Sequence, residues 1–172
     1  MTPKRSITFL ASVAMTALTL LAVAGCGGGS SSPAAPTTKD GRSATVGVAK
    51  EGLGTILVDS QARTLYLFKR DAGTTSTCTG ACAGSWPPLL VNGTPTVGSG
   101  ANASMVGTTR RPDGKPQLTY NGHPLYRFAN DQKAGDTSGE GLTAFGGSWF
   151  AVSPAGNQVS GQPTNTGGGY GY

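Results

Sequence analysis

Leu65-Tyr66-Leu67-Phe68-Lys69-Arg70-Asp71 and Leu125-Tyr126-Arg127-Phe128-Ala129-Asn130-Asp131 are the two stretches that decide the fold. Both read Leu-Tyr-x-Phe-x-x-Asp, and each is followed by a second shared element, Gly84-Ser85-Trp86 in one and Gly147-Ser148-Trp149 in the other. Two anchors recurring in the same order mark an internal repeat, with residues 56–91 laid against 117–152. The stretch from Leu to Trp is shorter in the first copy, so the loop between the anchors has drifted.

Each copy opens as a hairpin. In the second, Gln117-Leu118-Thr119-Tyr120 meets Asn121-Gly122, the favoured pair for a two-residue type I′ turn, and His123 to Phe128 returns. This register sets Tyr120 opposite His123 and Leu118 opposite Leu125. In the first copy a longer turn across Ser60–Arg63 predicts Val58 opposite Leu65 and Ile56 opposite Leu67. Alternation then gives one face to Ile56, Val58, Leu65 and Leu67 and the other to Leu57, Tyr66 and Phe68, a hairpin buried on both sides. Arg127 interrupts the aliphatic face of the second copy and predicts partial exposure there. Trp149-Phe150-Ala151-Val152 reads as a further strand stopped by Ser153-Pro154-Ala155-Gly156, and Thr77–Ser85 and Thr143–Gly147 are each expected to hold a helical turn. The fold class is all-β or β-dominated: one compact domain of two tandem β-hairpin units related by a rough twofold, with short helical turns in the connecting loops.

Outward from this centre the composition changes. Lys4 and Arg5 precede an apolar run from Ile7 to Val23, the layout of a secretory leader, too short and too rich in Ala and Thr for a membrane span. Val23-Ala24-Gly25-Cys26 matches a lipobox, which implies cleavage before Cys26 and acylation of its thiol, palmitate included; the alternative is an ordinary secretory leader with an incidental cysteine. At about 0.8 kcal/mol per buried methylene, two or three acyl chains hold a protein to a membrane almost permanently. The expected organisation is a leader over 1–25, a flexible Gly/Ser/Pro/Ala tether over 26–50, a β-rich domain over 51–160 with units at about 53–91 and 115–156, and a Gly/Tyr-rich disordered tail over 161–172.

The chain carries +5 at pH 7, but Lys4 and Arg5 leave with the leader, and the remaining basic residues are scattered apart from Lys69-Arg70 and Arg110-Arg111. No basic stripe of the kind nucleic acid requires is present. Charged residues make up only 12% and glycines number 28, which favours turns and short strands.

The lipobox, the doubled Tyr-x-(Phe/Trp/Tyr)-x-x-Asp signature, and Cys78-Thr79-Gly80-Ala81-Cys82 followed by Trp86-Pro87-Pro88 resemble the bacterial secreted-repeat lipoproteins with the Yx(F/W/Y)xxD motif, over residues 53 to about 156. The resemblance implies a predicted lipoprotein of unknown function and carries no mechanism with it.

The repeat-motif residues are Tyr66, Phe68, Asp71, Tyr126, Phe128, Asp131, Trp86 and Trp149. A buried tyrosine needs a partner for its hydroxyl, and an aspartate just past the strand can accept that bond or cap the next turn; the functional alternative is a ligand or cation site repeated by symmetry. Cys78 and Cys82 are the two thiols left in an oxidising compartment once Cys26 is lipidated, and they are expected to form a disulfide worth roughly 2 kcal/mol. The rival is a soft-metal or thiol-redox pair. After leader removal the chain holds one histidine, His123, and one methionine, Met105, so a Cu(I) site would draw on Cys78, Cys82, His123 and Met105. No nucleophile elbow, phosphate loop or metalloprotease helix occurs, which argues against an enzyme. The function expected is a lipid-anchored bacterial envelope protein with a non-catalytic binding or structural role, anchored most simply at the outer face of the cytoplasmic membrane. No cofactor is expected on this reading, copper being the alternative; the partners are the membrane, through the lipid, and a cell-wall or protein partner, with the chain a monomer.

Overall fold

A computed structural model describes residues 33–37 and 45–159. The leader, Cys26 and the tail over 161–172 lie outside the described residues. Strands β1 (Val46–Glu51) and β2 (Gly54–Asp59) pair antiparallel. Strand β3 (Tyr66–Phe68) follows, then a one-turn helix α1 (Ala81–Ser85) and a 3₁₀ turn over Ala103–Met105. The second unit repeats the plan with β4 (Val106–Arg110), β5 (Pro116–Tyr120) and β6 (His123–Pro124), and closes with β7 (Thr143–Ala144) and β8 (Gly147–Ala151). The domain is β-dominated and built of two hairpin units, as the repeat predicts.

Each unit begins one strand earlier than the sequence anchors suggested, because β1 and β4 flank the hairpins as antiparallel partners of β2 and β5. The tether therefore ends before residue 50: Val46 and Val48 alternate toward the core and commit this segment to the ladder. Pro33–Thr37 also lies against the domain, where Ser99 N donates to Thr37 O at 3.0 Å and Pro36 fills the space a Cβ on Gly47 would need.

The second hairpin has the predicted register, with Tyr120 paired to His123 and Leu125 N donating to Leu118 O at 3.0 Å. Asn121 (φ 48°) and Gly122 (φ 79°) form the turn. The first hairpin is slipped by one residue from the expectation. Asp59 N donates to Arg63 O and Ala62 N to Asp59 O, leaving a three-residue loop with Ala62 at φ 58°. Leu65 consequently bonds Leu57, and Thr64 bridges Val58. Because side chains alternate, one step of register exchanges the faces: Leu57 joins Leu65 and Leu67 in an aliphatic cluster, while Ile56 and Val58 join Tyr66 and Phe68 in an aromatic one. The hairpin is buried on both sides all the same.

The two loops before the tryptophans differ. The first holds α1, as expected; the second holds no helix. Thr143 pairs with Ser148, and Phe145 (φ 55°) with Gly146 (φ 82°) makes a tight β7–β8 turn. A residue pair at positive φ cannot continue a right-handed helix.

The units are interlocked by strand exchange. The hairpin of the first unit takes its third strand from the second unit, with Leu57 N bonding Val152 O (2.7 Å) and Val152 N bonding Leu65 O (3.1 Å). The hairpin of the second unit takes its third strand from the first, with Leu118 N bonding Leu89 O (2.8 Å) and Leu89 N bonding Leu125 O (2.9 Å). At the centre Tyr66 and Tyr126 exchange both backbone bonds, at 2.9 and 3.0 Å. Neither unit can close its own sheet.

Candidate functional site

The exchange positions every residue of the doubled motif. Tyr66 Oη donates to Asp131 Oδ2 at 2.6 Å, and Tyr126 Oη donates to Asp71 Oδ2 at 2.7 Å, so each tyrosine is answered by the aspartate of the other unit. The second oxygen of each aspartate ties down its own loop, Asp71 Oδ1 accepting from Thr77 N and Asp131 Oδ1 from Ser138 N. Burial, reinforced by the facing carboxylate, pushes the Tyr66 hydroxyl far above the usual phenol range, and burial does the same for Tyr126. Burial also raises the Asp131 carboxyl, against the hydrogen bonds from Tyr66 and Ser138 that favour its charged form.

The aromatic residues form one column through the twofold. Phe68 stacks on Trp149 (4.0 Å), Trp149 on Trp86 (3.9 Å, 3° between planes) and Trp86 on Phe128 (4.4 Å). Tyr66 meets Trp86 edge-on and Tyr126 meets Trp149 likewise. Each of the two motif phenylalanines, Phe68 and Phe128, stacks on the tryptophan of the other unit. With their hydroxyls and carboxylates all bonded internally, the motif residues build the scaffold; their arrangement leaves no carboxylate pair facing an open space.

Clefts abut both ends of the column. One, about 340 Å³, lies beside Phe68 and is bounded by Arg70, Thr77, Cys82 and Phe145. The other, about 330 Å³, lies beside Phe128 and is bounded by Arg63, Pro87, Arg127, Asp131 and Gln132.

Cys78 and Cys82 form a disulfide packed against the aromatic core, so neither sulfur is a thiolate. Met105 packs instead against the aliphatic cluster. The soft-metal set of Cys78, Cys82, His123 and Met105 is thus divided between two packing layers. Among the described residues no group of three or more His, Cys, Asp or Glu side chains is placed to hold a metal ion. His123 is half-buried beside the β5–β6 turn; burial and then Lys69 lower its pKa, while Asp71 opposes them.

Several polar residues escaped the sequence reading. Arg111 is buried and donates to Ser76 Oγ, Gln117 Oε1 and Cys78 O, each at 2.8 Å. Ser76 Oγ in turn lies 2.8 Å from Tyr126 Oη, so a buried chain runs from Arg111 through Ser76 and Tyr126 to Asp71. Asp59, fully buried, accepts from Arg63 and from Arg127 Nε on Oδ2. Glu140 Oε2 accepts from Ala151 N at 2.6 Å, and burial raises its carboxyl. Pro88 holds the place of Ala151 in the first unit, bridging Tyr126 as Ala151 pairs with Tyr66, and having no N–H it needs no such acceptor. The one usable sequence signal among these was Arg127, whose interruption of an aliphatic face predicted the half-exposed position it occupies.

A family described as a secreted repeat of unknown function matches residues 47–90 and 107–153, the two units just described and together more than half of the chain. Comparison with curated proteins and with solved structures found no match.

Proposed function

We propose, from the premise that this chain belongs to the family of secreted repeats of unknown function, that it is a lipid-anchored bacterial envelope protein with a non-catalytic binding role at the cell surface. The family is a secreted one, so the domain works outside the cytoplasm. Support for the anchor comes from the sequence, in the Val23-Ala24-Gly25-Cys26 lipobox behind a basic and apolar leader.

Support for binding comes from Phe145. It holds φ 55° in the β7–β8 turn, is 41% exposed, and lines the cleft beside Phe68. A left-handed backbone costs a residue of this kind about 1–2 kcal/mol. The equivalent strain in the β5–β6 turn is relieved by Asn121, the residue type such turns prefer. Backbone strain held in an exposed aromatic at the mouth of a cleft is the observation from which we read Phe145 as a contact residue. The internal commitment of the tyrosine–aspartate pairs leaves the column as a rigid support for the surfaces at its ends.

The test uses the full chain. Radiolabelled palmitate should enter the wild type and not Cys26→Ala. Purified protein should sediment with delipidated cell-wall preparations, and Phe145→Asn should weaken that retention at least tenfold while leaving the thermal midpoint unchanged or higher. Equal retention of Phe145→Asn would remove the cleft beside Phe68 from the contact.

A further inference from the structure

Arginine chemistry sets the cleft beside Phe128 apart. Asp59, with no exposed surface, receives Arg63 through Nε and Nη2 and Arg127 through Nε, so two guanidinium groups share one carboxylate. The remaining Asp59 oxygen is taken by Gln61 N and Arg63 N at 2.8 and 3.0 Å. Asp59 is the one carboxylate that the two arginines contact directly among the described residues. Arg127 is held by Nε alone and its Nη1 and Nη2 make no hydrogen bond to the described residues, while its side chain keeps 26% of its surface open.

Asp131 is the one acid bounding the cleft, and both its oxygens are occupied, by Tyr66 and by Ser138 N. Neither oxygen of Asp131 is thus left to pair with Arg63 or Arg127, and the outer edge of the Arg127 guanidinium has no carboxylate partner among the described residues. Its walls are apolar rings: Phe128, whose stacking on Trp86 fixes its orientation, and Pro87. Gln132 donates through Nε2 to Ala129 O at 3.2 Å, and its side-chain carbonyl oxygen makes no hydrogen bond to the described residues.

We propose that this cleft binds the carboxylate of an acidic sugar, with Arg127 Nη1 and Nη2 taking the carboxylate as a fork, Arg63 adding charge, the sugar ring lying against Phe128 and Pro87, and Gln132 accepting from a ring hydroxyl. The planar fork suits a carboxylate, and tethering one of its nitrogens to Asp59 removes much of the rotamer entropy that binding would otherwise cost. A volume of about 330 Å³ takes a short unit, near the lower limit of ordinary small-ligand clefts. The proposal rests on the surface-binding reading above and assigns that surface a ligand class.

The test is calorimetric titration of the full-length chain with glucuronate, glucose, acetate and inorganic phosphate. Glucuronate should bind at least tenfold tighter than glucose or acetate and tighter than phosphate, and the affinity should fall as salt rises. Arg127→Gln should lose at least tenfold. Because that variant also weakens a buried ion pair, Gln132→Ala serves as a second, exposed probe and should weaken glucuronate without weakening acetate. Glucuronate binding no better than glucose to the wild type overturns the assignment, and phosphate binding as tightly as glucuronate overturns its sugar component. If the chain still sediments with cell walls while glucuronate fails, the ligand class falls and the surface-binding reading stands; failure of both removes both.

Discussion

If the doubled motif locks one unit to the other, its energetic coupling must run across the repeat boundary. Asp131 Oδ2 has Tyr66 Oη as its hydrogen-bond donor, at 2.6 Å in a fully buried setting. Removing that hydroxyl leaves a buried carboxylate oxygen unpaired. A hydrogen bond to a charged group is worth about 1.5–3 kcal/mol, so Tyr66→Phe should cost about 2 kcal/mol. Tyr126→Phe should cost less, about 1 kcal/mol, because Asp71 is half-exposed and water can replace the phenol. The decisive comparison is a pair of double-mutant cycles read by urea denaturation of the domain. Tyr66→Phe with Asp131→Ala should show a coupling of about 1.5–3 kcal/mol. Tyr66→Phe with Asp71→Ala, which joins the tyrosine and aspartate of the same motif, should be additive to within about 0.5 kcal/mol. Strong coupling within one motif and none across the pair would refute the exchanged arrangement.

Three further outcomes follow from the same contacts. Burial raises the carboxyls of Asp131, Glu140 and Glu51. Above the ordinary carboxylate value of about 4 the unfolded chain has lost protons that the native state retains, so their contribution is full below about 4 and drains away as pH climbs through the raised values. His123, lowered chiefly by burial, acts in the opposite sense and adds stability as pH rises toward about 6.5. A series of thermal midpoints should therefore show Asp131→Asn flattening the decline above pH 4; an unchanged slope would contradict it. Breaking the disulfide by reduction or by Cys78→Ala with Cys82→Ala should lower stability by about 2 kcal/mol and leave the circular dichroism spectrum native, since the second unit forms its corresponding loop without cysteines. A Cβ on Gly139 would come within 2.8 Å of Trp86 and 2.9 Å of Tyr66, rings held by the column, whereas one on Gly84 meets nothing within 4 Å. Gly139→Ala should cost about 1–3 kcal/mol, and Gly84→Ala, inside α1, should be neutral or stabilising by up to about 1 kcal/mol; denaturation midpoints of the two variants decide it.

Much of this architecture was legible because period and turn chemistry are local. Asn121-Gly122 fixed the register of the second hairpin, and the paired anchors marked the repeat. The first hairpin misled because a three-residue loop with a non-glycine residue, Ala62, at positive φ carries no sequence signal, and one residue of slip exchanges the faces of Leu57 and Val58. Phe145-Gly146 hid a turn for the same reason, a phenylalanine standing where asparagine is the usual choice. The exchange itself was not readable: Tyr66 bonded to Asp71 and Tyr66 bonded to Asp131 are written by the same letters. Nor could Arg111 be told from a surface arginine, since its burial depends on Ser76, Gln117 and the Cys78 carbonyl arriving from elsewhere in the chain.

Separating the two units tests the interlocked scaffold most directly. Residues 33–100 and 101–159 would be produced as separate polypeptides and followed by tryptophan fluorescence and NMR, alone and mixed. Because Leu57 and Leu118 each find their third strand in the other unit, and Trp86 and Trp149 stack on one another, each half should be unfolded alone and the two should fold together on mixing. A half that folds by itself, with its tryptophan buried and a dispersed spectrum, would contradict the account.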